Sequence, residues 1–185
     1  MNHLATSKED ILAASRDLIK ENGWTAVSIR AVASRCSVSA GTIYNYYESK
    51  SDLLVDTIES IWREIFFHTE DEQAFKDAAA CISWIYKRLE YGNEQFPGFF
   101  SLHSFGFMKD EKNDGKKKML QTWEHILNGL CNILKNDPKI RSDVFDEQFT
   151  EKQFADILFS LILVSMIRQD YNPSSILMLI NKTLY

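Results

Sequence analysis

Glycine and proline are scarce in this chain, seven and three among 185 residues. So few helix-breaking residues argue against a turn-rich sheet protein. No apolar run approaches the ~20 residues that cross a bilayer. The longest, residues 157–167, is interrupted by Ser160 and Ser165 and bounded by Asp156 and Arg168. The opening MNHLATSKEDI lacks the basic-then-apolar order of a secretory signal, so a cytoplasmic protein with no membrane partner is expected. Cysteine is limited to Cys36, Cys81 and Cys131, odd in number, widely spaced and each in an apolar helical context. They are expected as buried free thiols of a reducing compartment. His3, His68, His103 and His125 have no His or Cys at ligand spacing, so no metal site is expected. A nucleophile–base pair, a carboxylate dyad and a phosphate-cradling glycine loop are all missing as well. No catalytic residue and no cofactor are therefore expected.

The charge of −5 is unevenly placed. Residues 1–50 carry six Lys/Arg against five Asp/Glu, and the remaining 135 residues carry 15 against 21. Acidity thus belongs to the second part of the chain. Whole-chain acidity argues against a non-specific polyanion binder, while a small head with a few placed cations remains able to engage phosphates. The run Lys116-Lys117-Lys118 follows Asp110, Glu111 and Asp114, and is read as part of a solvated loop rather than a second basic patch.

Apolar residues recur at helical spacing throughout and no strand pattern, repeat or low-complexity linker is found. About nine helices are expected. Thr6-x-x-Glu9 is a capping box for the first, ended by Asn22-Gly23; Ser49-Lys50-Ser51-Asp52 opens the fourth, which runs to about Phe67. Thr69-x-x-Glu72 caps the fifth, with Phe75 inward and Gly92 as terminator, and Pro97 starts the sixth. The seventh runs from about Lys116 to Lys135, Thr150-x-x-Gln153 caps the eighth, and Asn172-Pro173 starts the ninth. The fold class is all-α: a three-helix head at 1–50, then a helical ligand-binding and dimerisation domain at 51–185. The fourth helix is the natural lever between them.

Residues 28–50, SIRAVASRCSVSAGTIYNYYESK, hold two short helical patterns joined by a tight polar turn. Ile29, Val32 and Ala33 give the first an apolar face; the turn is Cys36-Ser37, closed by Val38. Ser39 is a good N-cap for the second, which runs through Ile43 to Tyr46 or Tyr47. This is the helix-turn-helix arrangement, whose second helix lies in the DNA major groove. Small Ala40 and Gly41 allow close approach to the groove floor, and Thr42 and Asn45 have base-edge chemistry. The run Ile29-Arg30-Ala31-Val32-Ala33, Val38-Ser39, Gly41-Thr42-Ile43-Tyr44, Tyr46-Tyr47 and Ser49-Lys50 with Asp52-Leu53-Leu54 resembles the TetR-type repressors over roughly residues 7–56. That resemblance implies base contacts from Ser39, Ala40, Gly41 and Thr42. It implies DNA-backbone contacts from Tyr44, Tyr46 and Lys50. Asn45, from its chemistry, and Ser28, at the start of its helix, complete the candidate DNA-binding set. Two departures stand out. Ser37 replaces the usual turn glycine, which adds strain of order 1 kcal/mol if the position needs positive φ. Tyr47 stands where Phe is commoner.

Two or three base contacts from one head are too few to find one genomic site, so a homodimer on a palindromic operator is expected. The eighth helix is apolar on two faces, one row being Phe154, Ile157, Leu158 and Leu161. A seam is expected from Leu158, Leu161, Ile162, Ser165 and Met166 with Leu177, Ile180 and Leu184 of the ninth. A central helix buried within one subunit is the alternative. Trp62, Phe66, Trp84, Phe99, His103, Phe107 and Trp123 are candidates to line a cavity for an unidentified small, largely apolar effector, although such stripes also form plain core. Together with the resemblance, these features describe a repressor released from double-stranded DNA by its effector. The alternative is a TetR-like sensor or co-activator that acts through a protein partner.

Overall fold

In a computed structural model of the chain, residues 6–66, 75–100 and 114–185 are described, the side chains of 114–122 excepted. Among the described residues there are eight α-helices, one short 3-10 helix at Trp24–Ala26 and no strand. The α-helices are α1 Lys8–Asn22, α2 Ile29–Arg35, α3 Ala40–Tyr44, α4 Lys50–Phe66, α5 Ala78–Gln95, α6 Asp114–Asn136, α7 Glu151–Arg168 and α8 Ser174–Thr183. Two compact units result: Met1–Phe67 with Glu94–Gly98, and His68–Asn93 with Phe99–Tyr185.

In the first unit the capping box of α1 is one residue later than expected. Ser7 is the N-cap, its hydroxyl accepting from Asp10 N–H at 3.1 Å while Asp10 Oδ2 accepts from Ser7 N–H at 2.9 Å. Glu9 is taken up instead by Arg16, 3.0 Å away. Gly23, at φ 76°, ends the helix and donates its N–H to Ile19 O. Ile11, Ile19, Val27, Val32, Ile43, Leu53, Ile61 and Ile65 are sealed from solvent and make one core. The unit extends past residue 50 because α4 packs on α1 and supplies Leu53, Leu54, Ile61 and Ile65 to that core. Three short helices alone bury little surface. Lys8 meets Asp56 at 2.6 Å, and Arg16 and Lys20 meet Glu64 at 2.9 and 2.7 Å, pairing the two helices along their lengths.

In the second unit α5 begins at Ala78, and its N-cap is Asp77, whose Oδ1 accepts from Ala80 N–H at 2.7 Å. Phe75 is exposed rather than inward and stands edge-on to Trp84; Thr69 and Glu72 lie outside the described residues. Gly92 does not terminate α5, which continues to Gln95; the left-handed glycine is Gly98, at φ 79°. Pro97–Phe100 is a turn, and the rest of the expected sixth helix lies outside the described residues. Thr150 and Gln153 form the capping box expected for α7.

One carboxylate gathers distant parts of this unit. Asp137 accepts from Ala78 N–H and Lys139 N–H, both at 2.9 Å, and from the Tyr185 hydroxyl at 2.6 Å. Beside it, Lys139 Nζ lies 2.6 Å from Asp77. Tyr86 of α5 and Ser165 of α7 share a hydrogen bond of 2.7 Å.

Candidate nucleic-acid interface

The corner between α2 and α3 is built from backbone bonds. Val38 N–H donates to Ala33 O at 2.9 Å and Ser37 N–H to Ser34 O at 3.1 Å, the two bonds of a Schellman end. That geometry needs a left-handed residue between them, and Ser37 supplies it at φ 56°. The chain re-enters helix at Ser39, whose hydroxyl accepts from Thr42 N–H at 3.2 Å. Val32, Ala33 and Ile43 are buried beneath the corner, so α2 and α3 are fixed against each other by apolar packing.

This leaves a definite outer surface. Helix α3 ends at Tyr44, earlier than expected, and Tyr46 and Tyr47 follow in a turn whose N–H groups both reach Ile43 O. Ser39, Gly41, Tyr44 and Asn45 are exposed, Tyr44 to 56%. Ala40, Thr42 and Tyr46 are half-buried. Thr42 Oγ1 is 3.0 Å from Ser39 Oγ, so the two hydroxyls hold each other. Gly41 is helical and open: a Cβ built there would meet Ser39 Oγ at 3.5 Å, an ordinary contact. The fold therefore does not require glycine at 41. Tyr46 donates its hydroxyl to Thr6 O at 2.6 Å, which fixes its ring against the start of α1. Tyr47 is core, its hydroxyl buried without a partner among the described residues and its pKa pushed up by loss of solvent.

Charge sorts the same surface. Arg35 is exposed but committed, its guanidinium forked onto Glu21 at 2.6 and 2.7 Å with Asp17 at 3.6 Å. Its hydrogen bonds hold the Glu21 carboxyl below the usual carboxylate range. Lys50, on the first turn of α4, is exposed and has no ion pair among the described residues. The same holds for Arg30 on the first turn of α2, which the candidate set left out. It stands inside the run that carried the resemblance; only the pairing of its neighbours shows that it is free. Ser28 spends its hydroxyl on Ala31 N–H at 3.1 Å as the cap of α2.

Residues 11–57 match the family described as bacterial regulatory proteins, tetR family. Residues 11–57 are a TetR-family helix-turn-helix domain. That span overlaps the 7–56 over which the sequence resembles the family from residue 11 on, and runs one residue beyond it. An uncharacterised HTH-type transcriptional regulator in the lacX 3′ region of Lactococcus lactis is 28% identical over 101 residues, 49% of this chain and 52% of that one. The HTH-type transcriptional repressor KstR of Rhodococcus jostii is 43% identical over 51 residues, 28% of this chain and 24% of that one. The chain thus covers about half the length of the first relative and about a quarter of the second. Beyond the TetR domain the likeness is one of fold. A transcriptional regulator from Rhodococcus sp. RHA1 superposes with TM-score 0.65 at 17% identity, over 91% of this chain and 86% of that one. FadR of Bacillus subtilis, solved with stearoyl-CoA, superposes with TM-score 0.58 at 21% identity, over 96% and 95%.

The other candidate residues lie elsewhere. Trp62 and Phe66, stacked at 5.5 Å, belong to the first unit. Trp84, Phe99 and Trp123 belong to the second, each beside a different aromatic: Phe75 at 5.1 Å, Phe100 at 5.1 Å and Phe159 at 5.8 Å. Phe99 is buried core, and His103 and Phe107 lie outside the described residues. Of the seam candidates, Leu158, Ile162, Met166, Ile180 and Leu184 are buried within their own chain, and Ser165 is bound to Tyr86. They have little surface left for a partner. Leu161 is exposed and Leu177 half-buried. The exposed apolar row of α7 is Ile157, Leu161, Val164 and Ile167, up to 50% open, and α8 adds Met178, at 59%, and Leu179. The two-sided apolar character of α7 is therefore real, with the outward side one register step from the expected one. Cys81 is buried, and burial pushes its thiol up to about 12; Cys36 and Cys131 are only half-buried, contrary to expectation. Among the described residues no helix is long and apolar enough to cross a membrane, and no group of three or more potential ligands could hold a metal ion.

Proposed function

We propose that the chain is a transcriptional repressor that binds double-stranded DNA through α3 and dimerises through α7 and α8. One observation carries the DNA reading: on a domain matching the TetR family, Gly41, Tyr44 and Asn45 are exposed, and among the described residues no side-chain hydrogen bond holds Tyr44 or Asn45. Arg30 and Lys50 supply cations at its margins, where phosphates lie. The apolar rows of α7 and α8 support pairing with a second copy, since contiguous exposed apolar surface marks an association site. Two heads would then read successive major grooves about 34–36 Å apart.

An apolar effector, held in the second unit, weakens operator binding; a coupling of ~1–3 kcal/mol changes affinity roughly 5- to 150-fold. Support comes from Trp84 and Trp123, each half-buried and beside one other aromatic ring, and from the fold shared with FadR, itself solved with stearoyl-CoA. Titrating stearoyl-CoA against tryptophan fluorescence tests the effector class. The co-activator alternative gains nothing from Ser37, because both backbone bonds of the corner are intact with serine there. A gel shift with the DNA upstream of the chain's own gene decides between them: a retarded band at low salt is expected, and its absence would favour the adaptor.

A further inference from the structure

Resting on the DNA-binding reading above, the side chains of α3 say which base pairs they suit. Between Cys36 and Ser49 there is no lysine or arginine. The nearest arginine, Arg35, has its guanidinium occupied by Glu21 and Asp17. Guanine is read in the major groove by a cationic fork on O6 and N7, and α3 has none to offer. What stands there instead, at the cap just past the end of α3, is Asn45, exposed and with no hydrogen bond on its carboxamide among the described residues. A carboxamide pairs in two-point fashion with adenine N6 and N7. Thr42 shares a hydrogen bond between its hydroxyl and that of Ser39 and also presents a methyl group, to which Ala40 adds a second. Methyl groups suit the thymine C5-methyl. Gly41 brings bare backbone to the same place.

We infer that the base pairs facing α3 in each operator half-site are A·T, with Asn45 on adenine. Arg30 and Lys50 serve phosphates, which position the head without reading sequence.

The test is selection from a random double-stranded DNA pool by the full chain, repeated with Asn45→Ala and Asn45→Arg. The expected wild-type motif has adenine at a half-site position that loses its preference with Asn45→Ala and becomes guanine with Asn45→Arg. On the selected site, Asn45→Ala should weaken binding roughly 5- to 150-fold, with affinity for unselected DNA unchanged. A wild-type motif with G·C at the responding position, or a motif indifferent to residue 45, overturns the inference and leaves DNA binding standing. No enrichment of any sequence by the wild-type chain overturns DNA binding itself, and this inference with it.

Discussion

Ala33 and Val38 are joined across the helix-turn-helix corner by a 2.9 Å backbone hydrogen bond, with Ser37 between them at φ 56°. A left-handed non-glycine residue is strained by roughly 1–2 kcal/mol. Ser37→Gly should therefore raise stability by about 1 kcal/mol in urea titrations, after allowing for the greater freedom of glycine when unfolded. Gln169, at φ 54°, ends α7 in the same way and should respond alike. Unchanged midpoints in both variants would show that the strain is relieved elsewhere.

Tyr47 makes the opposite kind of prediction. Its ring is core, but its hydroxyl is buried with no partner among the described residues, and such a group costs about 1–3 kcal/mol to desolvate. Tyr47→Phe keeps the ring and should leave stability equal or higher by thermal melting. A clear loss would mean that the hydroxyl is satisfied after all.

Gly41 separates folding from binding. Alanine fits there without a clash and favours helix by up to about 1 kcal/mol. Gly41→Ala should melt no lower than the wild type yet bind operator more weakly, because the added methyl faces the groove. Equal operator affinity would remove Gly41 from the interface.

The two sides of α7 predict different failures. Leu161→Glu alters an exposed side chain and should give a folded monomer in sedimentation velocity. Leu158→Ala opens a cavity in the core of its own chain, which typically costs about 2–5 kcal/mol, and should lower the melting temperature instead. A dimer that survives Leu161→Glu would place the seam elsewhere.

Asp77 gives stability a pH dependence. Burial raises its pKa, but the Lys139 hydrogen bond and the Ala80 N–H outweigh this and leave it below the usual aspartate value. A carboxyl depressed in the folded state contributes stability above its unfolded pKa, about 3.9, and loses it as pH falls through the lower native value. Lys139→Ala should thus be less stable than the wild type at pH 7, with the gap closing toward pH 2 in urea titrations. A constant gap would assign the loss to packing.

Much of this architecture was legible in sequence because it is local. Thr150 with Gln153 and Ser49 with Asp52 are caps written within four residues, and the two-faced pattern of α7 is written within eighteen. What failed depended on groups outside the motif itself. Thr6-x-x-Glu9 and Ser7-x-x-Asp10 are equivalent as text; Arg16 draws Glu9 away and leaves Asp10 to close the box. The start of α5 is set partly by Asp137, 59 positions later, which accepts from Ala78 N–H. Periodicity revealed that α7 has two apolar sides but not which one faces α6 and which one faces outward. Recognition chemistry at Asn45 was visible in sequence, whereas the freedom of Arg30 became visible only once Arg16 and Arg35 were seen to be spoken for.

The contacts of Asp137 also set a timetable for synthesis. Its carboxylate waits on a hydroxyl 48 positions downstream and grips an amide 59 positions upstream. On a translating ribosome, helices α1 to α4 have nearly all their partners within reach by residue 66. The second unit cannot fasten this junction until Tyr185 has emerged. Closing such long loops comes late and slowly, so the DNA-facing head should be native while its carboxy-terminal half is still searching.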